Sequence, residues 1–97
     1  MGLEIIWTPQ AAKGYAQILL YLDEQWTTNE VLSFENEVKQ FLEQLSTYPK
    51  ILKTFDARNK LRRGPINKHT ILTYRIDSRS KQIQLINIYS SRQNPMI

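Results

Sequence analysis

Apolar positions recur along this chain in two periods. Leu3, Ile5 and Trp7 alternate, as in a short strand with one apolar face. Thr8-Pro9 then reads as an N-cap followed by proline at the first helical position. Ala11, Tyr15, Ile18, Leu19, Leu22 and Trp26 follow in steps of three and four, which makes one helical stripe. Gly14 lies inside this stripe, where it costs ~1 kcal/mol relative to alanine unless it permits a close approach. Thr27-Thr28-Asn29-Glu30 marks a second helix start, with Thr27 and Glu30 spaced as a capping box and Thr28 as an alternative cap. Val31, Phe34, Val38, Phe41, Leu42 and Leu45 form the second stripe, and Ser46-Thr47-Tyr48-Pro49 ends it. Two amphipathic helices joined by so short a turn form an antiparallel hairpin.

Beyond Pro49 the period changes to two. Ile51–Phe55 reads as a connecting segment, and residues 58–63 as a strand broken by Gly64-Pro65. Asn67-Lys68 reads as a turn. Thr70–Ile76 is rich in β-branched residues and places Leu72, Tyr74 and Ile76 on one face. Asp77-Ser78-Arg79-Ser80 is turn material, and 82–89 is the last strand. In that strand simple alternation puts Ile83 and Leu85 on one face and Ile86 and Ile88 on the other. This predicts a central strand buried on both sides. Together these elements predict an α+β fold. An N-terminal strand and an antiparallel helical hairpin precede a three-stranded antiparallel meander, with the helices on one face of the sheet.

Ninety-seven residues suit a single domain spanning 1–97, and 41% hydrophobic content is that of a globular chain. No apolar run reaches the length of a membrane span, and the start of the chain lacks the basic-then-apolar pattern of a secretory leader, so a cytoplasmic protein without membrane association is expected. There is no cysteine, which excludes disulfides, thiolate catalysis and Cys-ligated zinc within this sequence. Charge is uneven. Four lysines face seven carboxylates up to Phe55, a balance of −3, whereas nine cations face two carboxylates beyond it, a balance of +7. The C-terminal part is therefore expected to carry a cationic surface suited to phosphates or an acidic segment.

Catalytic options are few. One histidine, His69, cannot by itself build a His-rich zinc site, and it reads most simply as a turn or strand-edge residue. Asp56 and Asp77 are too far apart in sequence to suggest a two-metal carboxylate cluster. Three glycines provide no phosphate-cradling loop. No metal or other cofactor is expected. What remains is metal-free chemistry or binding. Arg62, Arg63, Arg75 and Arg92 can stabilise a phosphate, and Tyr89 can stack or transfer a proton. Alternation within a strand allows only one of Arg62 and Arg63 to serve a given face, and Tyr74 belongs with the apolar face.

The ordered set of segments resembles the RelE/ParE superfamily of toxins from bacterial type II toxin–antitoxin systems. The similarity rests on Ile5-Ile6-Trp7-Thr8-Pro9-Gln10-Ala11-Ala12, the helical hairpin ending in Leu45-Ser46-Thr47-Tyr48-Pro49, and Leu61-Arg62-Arg63. It continues through Ile71-Leu72-Thr73-Tyr74-Arg75-Ile76 and Ile86-Asn87-Ile88-Tyr89-Ser90-Ser91-Arg92-Gln93-Asn94-Pro95. The long helices are closer to the ParE, or plasmid-stabilisation, branch. The resemblance implies growth inhibition through a macromolecular target, DNA gyrase in ParE-like members, and neutralisation by a cognate antitoxin in a hetero-oligomer. A RelE-type alternative would cleave mRNA on the ribosome without a metal, using Arg62 or Arg63, Tyr89 and Arg92. Thr70 and Ile71 stand where RelE-like nucleases carry an arginine, and the chain ends Asn94-Pro95-Met96-Ile97 where they carry a tyrosine or histidine. A third possibility is an inactive member that retains only antitoxin binding.

Overall fold

The computed structural model describes residues 2–91. The chain runs β1 (Glu4–Trp7), α1 (Pro9–Gln25), α2 (Thr28–Thr47), β2 (Thr54–Asp56), β3 (Leu61–Pro65), β4 (Thr70–Asp77) and β5 (Gln82–Ser90). Among these residues no helix is long and apolar enough to cross a membrane.

Both helix starts follow the local chemistry. The Thr8 hydroxyl accepts from the Ala11 N–H at 3.3 Å, with Pro9 at the first helical position, and the Thr27 hydroxyl accepts from the Glu30 N–H at 3.3 Å. Thr8 also joins α1 to the sheet, because its hydroxyl donates to the Leu85 carbonyl at 2.6 Å. Trp26 departs from the expected stripe. It caps the C-terminus of α1, its N–H donating to the Leu22 carbonyl at 2.8 Å, and is 47% exposed. The helix stops one residue too early to carry its ring into the core.

The five strands form one sheet in the order β1-β5-β4-β3-β2, and only β1 and β5 run parallel. The expected α+β architecture is present, with one strand more than the meander. The short β2 begins within the segment read as connection and pairs with the edge of β3 through Thr54 and Asp56. Strand β3 extends through Gly64 and Pro65 rather than breaking there. Pro65 is tolerated because β2 pairs only with Leu61 and Arg62, so its missing N–H faces no neighbouring strand.

The last strand requires a correction. Thr73 lies opposite Asn87 and Tyr74 opposite Leu85, which leaves Ile86 as the extra residue of a bulge. The bulge reverses the alternation, so Ile83, Leu85 and Ile88 all face the helices and all are at most 1% exposed. Strand β5 is central because it pairs on both edges, not because both faces are buried. The core unites these residues with Leu72 and Tyr74 of β4, with Ala11, Ile18 and Leu22 of α1, and with Phe34, Val38 and Leu45 of α2.

Two hairpin turns, Asp56–Lys60 and Asp77–Lys81, have one construction. In each the aspartate Oδ1 accepts the N–H three residues on, at 3.2 Å, and the closing lysine adopts positive φ, 59° at Lys60 and 57° at Lys81. Both carboxyls are held below the ordinary aspartate value, Asp56 chiefly by the Asn59 side-chain amide and Asp77 chiefly by the Ser80 N–H. Their contribution to stability is present above the ordinary pKa and is lost as pH falls through the lowered values.

Candidate functional site: the open face of the sheet

Helices cover one face of the sheet, and the other is open. Register assigns side chains to it in ranks. Leu61, Arg75 and Gln84 form one rank, Arg63, Thr73 and Asn87 the next, and Pro65, Ile71 and Tyr89 the third. Successive ranks lie about 7 Å apart, two residues of strand rise. Arg63, Arg75 and Tyr89 therefore share one surface.

Arg62 does not join them. It lies opposite Tyr74 on the helix-facing side, and its Nη1 donates to the Leu52 carbonyl at 2.8 Å. The Tyr74 hydroxyl donates to the Pro49 carbonyl at 2.6 Å and accepts the Leu52 N–H at 3.3 Å. Arg62 and Tyr74 together hold the chain leaving α2 against the sheet. Burial raises the Tyr74 phenol above its ordinary pKa, against the lowering influences of the Leu52 N–H and Arg62.

On the open face both guanidinium groups are held in place. Arg63 donates through Nε to the Thr73 hydroxyl at 2.8 Å and lies 3.7 Å above the centre of the Phe55 ring. Its side chain covers that rank, and Thr73 is only 2% exposed although it faces outward. Arg75 donates through Nε and Nη2 to Oε1 of Gln84, both at 3.2 Å. Tyr89 is half-buried opposite Ile71. Arg92 lies outside the described residues.

His69 lies away from this cluster, in the turn between β3 and β4. The Asn67 side-chain oxygen accepts its backbone N–H at 2.9 Å, and its carbonyl accepts the Ser91 N–H at 2.7 Å. It borders a cleft of about 350 Å³ between the helices and that turn, together with Glu30, Glu37 and Lys68. Among the described residues no group of three His, Asp or Glu side chains could hold a metal ion.

Among the described residues, Arg63 and Arg75 occupy the open face, Arg62 the opposite side, Lys68 the cleft beside His69, and Lys60 and Arg79 a recess at the turn end of the sheet that Arg75 also lines. Sequence reasoning missed Gln84 and Phe55 as the groups that orient the open-face arginines. Phe55 carried a signal, being a large apolar residue without a periodic partner, whereas Gln84 becomes visible only once Arg75 is known to lie beside it.

A family model described as ParE toxin of type II toxin–antitoxin system, parDE, matches residues 5–95. Among solved structures, the chain is similar to the toxin–antitoxin complex RelBE2 from Mycobacterium tuberculosis, at 13% identity and a TM-score of 0.66. That match covers 93% of this chain and 99% of the other. It is also similar to a metal-bound toxin from Helicobacter pylori, at 14% identity and a TM-score of 0.64, covering 95% and 98%. At these identities the structural likeness concerns the fold. No curated protein matches the sequence.

Proposed function

Because the chain belongs to the ParE family of toxins from type II toxin–antitoxin systems, we propose that it arrests growth by binding DNA gyrase and is neutralised by a cognate antitoxin. The family match over residues 5–95 carries this reading. The open face supports binding over cleavage. Its two arginines are already held by Thr73 and Gln84, and Thr70 and Ile71, the latter opposite Tyr89, stand where RelE-like nucleases carry an arginine. A docking face needs groups fixed in advance, whereas metal-free cleavage of RNA also needs a base and an acid beside the phosphate.

The test pairs two assays on purified toxin. Inhibition of gyrase supercoiling without ribosome-dependent mRNA cuts is the expected result. Specific A-site cuts that disappear in Arg63→Ala would overturn it in favour of the endonuclease, in which Arg63, Tyr89 and Arg92 would serve. Unimpaired growth on expression without antitoxin would point to the inactive member.

A groove of about 430 Å³ between α1 and the end of β5 is the proposed antitoxin seat. It lies where β1 stops pairing, at Leu85, while β5 continues to Ser90. Leu20, 63% exposed, and Tyr21 line the helical side, and Ile88 and Tyr89 the strand side. An apolar anchor on an amphipathic antitoxin segment would fill it. Leu20→Glu is expected to abolish rescue by antitoxin in a co-expression growth assay while leaving the toxin active, and full rescue would place the antitoxin elsewhere.

A further inference from the structure

The two similar hairpin turns lie at the same end of the sheet, because β2 leads into β3 there and β4 into β5. Their sequences share a pattern, Asp-x-Arg-polar-Lys, in Asp56-Ala57-Arg58-Asn59-Lys60 and Asp77-Ser78-Arg79-Ser80-Lys81. Each closes through the lysine N–H, which donates to the carbonyl of the second residue, at 3.2 Å for Lys60 and 3.3 Å for Lys81. At φ of 59° and 57° these lysines occupy the left-handed region. Glycine adopts that conformation freely, whereas a residue with a Cβ is strained there. The same strained choice at the same place in both turns retains two ammonium groups that glycine would lack.

Arg75 lies between the turns, oriented by Gln84. A recess of about 580 Å³ is bounded by Lys60, Arg75, Arg79, Ser78 and Asp77. Three cations face one carboxylate there, and that carboxylate accepts the Ser80 N–H within its own turn. Past Lys60 and Ser78 the recess adjoins a second one, of about 300 Å³, bordered by Lys50 and Arg62.

We propose that the paired turns grip the phosphodiester backbone of a nucleic acid without reading its sequence. The turns are two strand spacings apart, about 10 Å, so their cations reach successive phosphates of a polymer rather than one isolated anion. Phe55 distinguishes a nucleic acid from an acidic peptide. Its ring is 52% exposed beside β3, with the Arg63 guanidinium over one side, and it offers a stacking surface for a base. This inference goes beyond the gyrase proposal and does not depend on it.

The test is fluorescence anisotropy with labelled single-stranded and duplex oligonucleotides of arbitrary sequence, titrated between about 50 and 200 mM salt. The double variant Lys60→Gly/Lys81→Gly removes both charges and keeps the backbone conformation. Its slope of log affinity against log salt on the single strand should fall by about one and a half, with at least roughly tenfold weaker binding at the lowest salt. Its melting temperature should hold or rise. Arg79→Gln, which leaves both turn backbones alone, should lower the slope by about one. The control Lys13→Gln/Lys39→Gln removes the same charge from α1 and α2 and should leave the slope nearly unchanged. Equal weakening by the control would mean diffuse attraction and overturn the site, as would absence of saturable binding by the unaltered protein at low salt. Polyglutamate that displaces the oligonucleotide as readily, and is itself lost on the glycine variant, would reassign the turns to an acidic peptide.

Discussion

Replacing Gly14 by alanine is expected to destabilise this toxin by about 2–3 kcal/mol, although alanine is the better helix former by about 1 kcal/mol. A Cβ built at Gly14 would collide with the Ile88 carbonyl oxygen. That oxygen belongs to the backbone of the central strand, which pairs with β4 and cannot swing aside as a flexible side chain would. Helix α1 would have to lift, and with it Ala11, Ile18 and Leu22, all at most 5% exposed in the core. For a domain of this size the loss corresponds to a melting temperature lower by roughly 10–20 °C. Thermal and urea unfolding of Gly14→Ala would measure it. A neutral or higher melting temperature would show that α1 does not approach β5 this closely.

Tyr74 should be the most costly single aromatic to truncate. It is fully buried, and Tyr74→Ala is expected to cost about 3–5 kcal/mol, a large share of the stability of a small domain. Tyr74→Phe separates the hydroxyl from the ring. It leaves the Pro49 carbonyl and the Leu52 N–H without their partner and should cost about 1–3 kcal/mol. The loss should appear as earlier opening of the chain between α2 and β2, measured by hydrogen exchange at Leu52. The phenol also predicts an alkaline effect. Its folded pKa is raised by burial, so its contribution is complete below the ordinary tyrosine pKa and is lost as pH rises through the raised value. Tyr74→Phe should therefore flatten the alkaline fall in stability. Some fall should remain, because burial raises the Tyr15 phenol as well, with Glu35 adding to the effect. An alkaline limb identical in the variant and the parent would contradict this role.

Much of the fold is written in short stretches of chain. Thr8 and Thr27 start the helices where their hydroxyls can reach N–H groups three residues ahead, and Ile18, Leu22, Phe34, Val38 and Leu45 go inward as their spacing demands. The divergence of Arg62 and Arg63 follows from alternation alone, once both lie in a strand. Other features depend on partners distant in sequence. The three residues of β2 show no alternation of burial, and they form a strand because β3 presents an edge to them. The bulge at Ile86 is a matter of register between β4 and β5, so alternation read along β5 alone assigns Ile88 to the wrong face. The pairing of Arg75 with Gln84 has the same origin, being a contact across the hairpin rather than along the chain.

Period, caps and turn residues, whose energies arise within a few neighbouring residues, determined where helices and strands occur and which family of folds they build. Pairing across strands decided the rest: the parallel placement of β1 beside β5, the bulge that gathers Ile83, Leu85 and Ile88 on one face, and the groups that orient Arg63 and Arg75. Those contacts join residues far apart in the chain, and their geometry is set by how helices and sheet pack together, which no local pattern encodes.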